Sequence, residues 1–137
     1  MNQAKNKDNP PSESELEQAR RAAEVCDLHK GQQIVLYDLK QSSMLADFYL
    51  ICSGTSEPHL QALAGHLQKE MLKYQMRPRH VDGSPASRWI VIDYGTLMIH
   101  LFHPDLRQYY EIEKLWRESA EAIYTGGQQD DRPVPVF

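Results

Sequence analysis

The sequence predicts an α/β domain of the α+β type, a mixed five-stranded sheet flanked by helices. Three observations carry this. Apolar residues recur at helical spacing in three segments, and short runs rich in β-branched and aromatic residues lie between them. Two of those runs are joined by a tight turn, and two others are separated by a helix, so hairpin and crossover pairing must coexist in one sheet. Of 137 residues, 41% are hydrophobic and 25% charged, which is close to the globular average and enough for one domain with a real core.

Residues 1–13 are polar, contain two consecutive prolines and are expected to be a disordered tail. The folded domain is expected over 14–124. Ser12 or Ser14, each with Glu three residues later, can cap a first helix whose face is Leu16, Ala19, Ala23 and Cys26, with Gly31 as its stop. Residues 33–39 and 47–52 read as strands with little alternation, so both their faces should be covered. Ser56 then caps a second helix, with Pro58 in its first turn and Leu60, Leu63, Ala64, Leu67, Met71 and Tyr74 as its stripe. Strand signals follow at 79–81, at Trp89–Asp93 and at Leu97–Phe102, the last two joined through Tyr94 and Gly95. A closing helix is expected from Asp105, with Leu106, Tyr109 or Tyr110, Ile112, Leu115, Trp116 and Ile123 on its face. The stretch 125–137 is expected to be a second disordered tail.

Fifteen Lys and Arg against nineteen Asp and Glu give a formal charge of −4, which disfavours a domain held chiefly by phosphate contacts. Cys26 and Cys52 are too few for a disulfide framework and form no CxxC pair, so a reducing compartment is expected. The N-terminal residues have no apolar run for a signal peptide, and no segment matches a membrane span. Together these features predict a cytoplasmic protein.

Several constellations invite chemistry. The turn Cys52-Ser53-Gly54-Thr55-Ser56, between a strand and a helix, can bind an anion or can be a capped turn without ligand. Asp38, Asp47 and Asp93 at strand ends could serve metal-dependent nucleotidyl transfer with Ser53, but no strand carries two acids at alternate positions. A hydrolytic set of Ser53 or Cys52 with His100 and Asp93 has no GxSxG elbow behind it. His100 with His103, or His59 with His66, supplies two ligands where a tetrahedral metal site needs four. Catalytic, cofactor and metal sites are therefore expected to be absent. The aromatic and charged residues Trp89, Tyr94, Phe102, Arg107, Tyr109, Tyr110, Glu113 and Trp116 are of the types that anchor protein interfaces, or else form core.

Residues 30–116 carry an ordered set of motifs: Lys30-Gly31, Ala46-Asp47-Phe48, the Cys52–Ser56 turn, Trp89-Ile90-Val91-Ile92-Asp93-Tyr94-Gly95, Ile99-His100-Leu101-Phe102 and the run from Arg107 to Trp116. In order and spacing this resembles the ribosomal silencing factor family, also called the Iojap family. The resemblance implies a sheet similar to a nucleotidyltransferase core without its active site, and no enzymatic activity. It implies binding to the large ribosomal subunit through universal large-subunit ribosomal protein fourteen. Docking of the small subunit would thereby be blocked and translation damped when nutrients are short.

Organellar relatives act in large-subunit assembly. Without transit-peptide features this chain fits the bacterial type. Where the family often has Glu-Gly before the tryptophan strand, this chain has Asp82-Gly83, which keeps the acid. The partner-binding residues implied are Trp89, Asp93, Tyr94, His100, Arg107, Tyr110 and Glu113, with Asp47 and Ser53 behind them. Little direct contact with nucleic acid, no membrane and no cofactor are expected. Relatives form homodimers, and nothing in the sequence decides between one copy and two.

Overall fold

In the computed structural model, residues 13–39, 46–106 and 120–127 are described. The elements in chain order are α1 (Glu13–Leu28), β1 (Gln32–Asp38), β2 (Phe48–Ser53), α2 (Glu57–Leu72), β3 (His80–Ser84), β4 (Trp89–Asp93), β5 (Leu97–Phe102) and β6 (Glu121–Gly126). They build one sheet in the order β3-β4-β5-β2-β1-β6. Its central pair, β2 and β5, is parallel, and the other neighbours are antiparallel. A parallel pair needs a long crossover, which here runs through α2 and the β3–β4 hairpin.

The helices form because their apolar residues repeat every three or four positions. α1 buries Ala19, Ala22, Ala23, Val25 and Cys26, small side chains that let the helix lie close to the sheet. α2 buries Leu60, Leu63, Ala64, Leu67 and Met71. Ser56 caps it as expected, its Oγ accepting from the His59 N–H at 3.1 Å. Arg21 of α1 donates to Glu70 of α2 at 2.9 Å, and Glu70 also meets Lys73 at 3.0 Å. These two cations hold the Glu70 carboxyl below its ordinary range.

Strand alternation divides the core in two. Ile34, Leu36, Phe48, Leu50, Cys52, Ile90, Ile92, Leu97, Ile99 and Leu101 face the helices. Val35, Tyr37, Tyr49, Ile51 and Phe102 face the opposite way with Leu39 and Ala46, and Trp89, Met98, Leu106 and Ala120 pack against them. All six residues of β2 are buried, so the expectation that both its faces are covered holds.

The sheet has six strands rather than five. Residues 121–126, expected as the end of the closing helix and the start of a tail, pair with β1 as an antiparallel edge strand. Ile123, expected on a helix face, packs with Tyr124 against the helix-side core from this strand. Of the rest of the closing helix, residues 104–106 are helical, and positions 107–119 lie outside the described residues.

Gly31 does follow α1, but its role differs from a left-handed stop. Lys30 takes the left-handed conformation instead, with φ of 65°. Gly31 is needed for space, since a Cβ there would lie 2.4 Å from Cys52 Sγ and 2.8 Å from the Cys26 carbonyl oxygen. Gly65, in contrast, has nothing within 4 Å of its Cβ position. In urea unfolding, Gly31→Ala should therefore cost about 1–3 kcal/mol by overpacking. Gly65→Ala should stabilise by about 0.5–1 kcal/mol through helix propensity.

Candidate functional site

The sheet face away from the helices is built as cross-strand rows. One row runs His80, Asp93, Met98, Tyr49 and Tyr37 from β3 to β1. The next runs Asp82, Val91, His100, Ile51 and Val35, and a third runs Ser84, Trp89, Phe102 and Ser53. Towards β2 and β1 these residues are buried. Towards β4 they become half-buried at Trp89, Val91, Asp93 and Met98, and all of β3 is exposed. The face thus grades from core into surface along its rows.

Aromatic rings knit the centre together. His100 stacks with Tyr49 at 5.1 Å and with Phe102 at 5.9 Å between centroids, and Trp89 tilts against Phe102 at 4.9 Å. Burial among these rings lowers the His100 imidazole to about 4. Burial, with a smaller contribution from Asp93, raises the Tyr49 phenol. At neutral pH this layer carries an uncharged imidazole and the intact Tyr49 phenol.

At the outer end, β3 and β4 are joined by a turn that serine side chains brace. The Ser87 N–H donates to Ser84 Oγ at 3.2 Å, the Ser84 N–H donates to Ser87 Oγ at 3.1 Å, and Ser87 Oγ approaches the carbonyl oxygens of Ser84 and Trp89 at 2.8 and 3.0 Å. Gly83, with φ of 81°, lets the strands close, because a Cβ there would fall 2.0 Å from the Trp89 carbonyl oxygen. At the other end of β4, Asp93 Oδ1 accepts from the Gly95 N–H at 2.8 Å, which fixes the β4–β5 turn.

The candidate residues of the sequence separate clearly in space. Trp89, Asp93 and His100 share the aromatic face. Tyr94 points to the helix side, in the core, where burial pushes its phenol up to about 12. Asp47 and Ser53 are buried at 2% and 0% exposure, so neither is a surface contact in this conformation. The backbone of Asp47 ties β1 to the β4–β5 turn, accepting from Leu39 and donating to the Thr96 carbonyl, each at 2.9 Å. Arg107, Tyr110 and Glu113 lie outside the described residues. Val91, Met98 and Asp82 share this face as well; the alternation of Trp89, Val91 and Asp93 along β4 signals the place of Val91, whereas Asp82 and Met98 join it through the register of β3 and β5.

The catalytic alternatives come apart. Asp38 and Asp47 sit at one end of the β1–β2 pair and Ser53 at the other, about 20 Å away at the rise of a strand. Asp93 lies on the rung of Met98 and Ser53 on that of Phe102, so a Ser53, His100 and Asp93 set is strung along β5. In the glycine turn, the N–H groups serve the fold: Gly54 donates to the Phe102 carbonyl and Thr55 to His59 Nδ1, each at 2.9 Å. His59 Nε2 lies 2.9 Å from the His29 carbonyl oxygen, to which it donates while Nδ1 accepts from Thr55. His66 stacks on His29 with centroids 3.6 Å apart. Among the described residues no three His, Cys, Asp or Glu side chains converge as a metal site.

A two-faced mixed sheet, with helices on one side and an aromatic layer on the other, defines the class: an α/β domain whose chemistry-bearing side chains lie on a sheet face. Residues 11–135 match the family described as "Ribosomal silencing factor during starvation", and the chain belongs to that family. A "Ribosomal silencing factor RsfS" of Halalkalibacterium halodurans is 38% identical over 106 residues, covering 77% of this chain and 91% of that protein. The mouse "Mitochondrial assembly of ribosomal large subunit protein 1" is 41% identical over 89 residues, covering 63% of this chain and 39% of its own. A crystal structure of a Chromobacterium violaceum protein superposes with a TM-score of 0.71 at 26% identity, covering 88% of this chain and 92% of that one. One from Bacillus halodurans gives 0.64 at 37% identity, covering 77% and 95%.

The neutral, buried His100 has a consequence for stability. An unfolded chain takes up a proton near pH 6.5 that the folded ring refuses until about 4, so stability is full above 6.5 and falls as pH drops through this window. The loss from this group should approach about 3 kcal/mol. Urea unfolding at pH 7 and pH 4.5 checks it: His100→Phe should show a shallower fall than the parent protein, and equal falls would mean that the imidazole is not held neutral.

Proposed function

We propose that this chain represses translation by binding the large ribosomal subunit through universal large-subunit ribosomal protein fourteen, so that the small subunit cannot dock, chiefly under nutrient limitation. The observation that carries this reading is the graded sheet face: half-buried Trp89, Val91 and Met98 beside the acids Asp82 and Asp93. Apolar surface rimmed by carboxylates suits a basic protein better than a polyphosphate backbone. The formal charge of −4 points the same way and would speed encounter with a basic partner.

Occlusion needs no catalysis, no cofactor and no membrane. A domain of this size can cover a standard interface of roughly 1,200–2,000 Å² and exclude a second large body from the same ground. None of the helices described is long and apolar enough to cross a membrane, and a cytoplasmic site of action is part of the reading. Trp89, Asp93 and His100 belong to the proposed docking face, His100 as a ring that positions its neighbours from within. Arg107, Tyr110 and Glu113 are proposed as further contacts. The name of the mouse relative supports a second reading, in which the same docking serves large-subunit assembly.

Added to separated ribosomal subunits, the protein should co-sediment with the large subunit and lower the yield of joined particles. Undiminished joining with no co-sedimentation would overturn the reading. Val91→Lys, which places a cation on the face at a half-buried position, should weaken large-subunit binding at least about tenfold, the scale of an interface hot spot. Its melting temperature should change by only a few degrees, because the position is not in the sealed core.

A further inference from the structure

Beside the outer end of the aromatic face lies a cavity of about 390 Å³, lined by Asp82, Gly83, Ser87, Trp89, Val91 and Leu106. Its walls come from three places in the chain: the exposed strand β3, the braced turn with the start of β4, and the first helical residues after β5. Trp89 spends part of its ring on Phe102 and is otherwise half-buried, so it also forms a wall here. Val91 and Leu106 supply apolar surface. Among the described residues lining the cavity, Asp82 alone carries a charge, and it is exposed.

We propose that this cavity receives one arginine side chain of a basic protein partner. The space is too small for an α-helix, whose diameter with side chains is about 10–12 Å, yet ample for one long side chain and its solvent. A guanidinium matches the walls group by group. Its planar face stacks on an indole, its N–H fork pairs with a carboxylate, and its methylene stem covers aliphatic carbon. A lysine ammonium would meet Asp82 but lose the stacking plane and the fork. A phosphate or an acidic peptide would face Asp82 with the wrong sign.

The site is also prepared in advance. Gly83 sets the close approach of β3 to β4, and the Ser84–Ser87 bonds hold the turn, so the backbones that carry Asp82 and Trp89 are held in place before any partner arrives. Binding then loses little entropy on the protein side. The inference rests on the reading above for the identity of the partner, and on the cavity alone for the chemistry of the side chain.

Two measurements on the full chain test it. With ¹⁵N-labelled protein, N-acetyl-arginine amide should shift the Trp89 indole N–H and the Gly83 and Val91 amides saturably. N-acetyl-citrulline amide, which has the same shape without the charge, should not, and Asp82→Asn should abolish the arginine response. Equal shifts with both compounds, or none with arginine, overturn the inference. So do shifts at these positions that follow protein concentration without ligand, because a second copy of the chain would then be the occupant. In the second measurement, Asp82→Asn should weaken co-sedimentation with large subunits about tenfold, as expected for a lost charge-assisted pair. Parent-like binding by Asp82→Asn overturns the inference while leaving the proposed function standing. If the parent protein itself does not bind subunits, the proposed function falls and the arginine titration alone decides the cavity's ligand.

Discussion

The parallel pairing of β2 with β5 is the constraint on which the rest of the structure depends. Two parallel strands cannot be joined by a hairpin, so the chain between them must leave the sheet, cross it as α2 and return through β3 and β4. That route puts α2 over one face and adds two strands on the far side of β5. Being central, β2 is buried along its whole length, and its backbone is satisfied on one side by β5 and on the other by β1. Each fully buried Leu, Ile or Phe side chain on it contributes about 1.5–3 kcal/mol, so Phe48, Leu50 and Ile51 together supply an amount comparable with the net stability of a domain.

Alternation then gives the strands two different tasks. The residues facing α1 and α2 are mostly aliphatic and closely covered, and they hold the domain together. Those on the other face include the rings of Tyr37, Tyr49, Trp89, His100 and Phe102 among aliphatic neighbours, and they run out from a sealed centre to a half-buried margin at β4. Because each row crosses several strands, a contact made at Trp89 or Val91 bears on Phe102, His100 and Ile51 behind it. Such a face is open rather than enclosed.

Much of this was legible in the sequence. The Ser56 cap, the stripe of α2 from Leu60 to Met71 and the turn at Tyr94 and Gly95 are local matters, decided within a few residues by hydrogen bonding and periodicity, and they fall where expected; Tyr74, expected to close the stripe, lies beyond the helix and is exposed. β6 was not legible. Its residues carry an apolar pair, Ile123 and Tyr124, that suits a helix as well as a strand, and what makes them a strand is the free edge of β1, some ninety residues earlier in the chain. The aromatic sheet face is only partly legible: the motifs contain Trp89, Asp93 and His100, which share it, but also Tyr94, which turns to the helices. A motif records which residues matter together, whereas the side of the sheet each one takes depends on the register of β4 against β5.

By itself, then, the sequence determined the class of fold, the first two helices, the hairpin and the family, because these follow from composition, period and the order of motifs. Only the tertiary structure decided the sixth strand, the burial of Asp47, Ser53 and His100, and the separation of Asp38 from Ser53. All of these are matters of which strand lies beside which. Pairing across the sheet is a long-range choice, set by the free energy of burying two faces at once, and no window along the chain contains it.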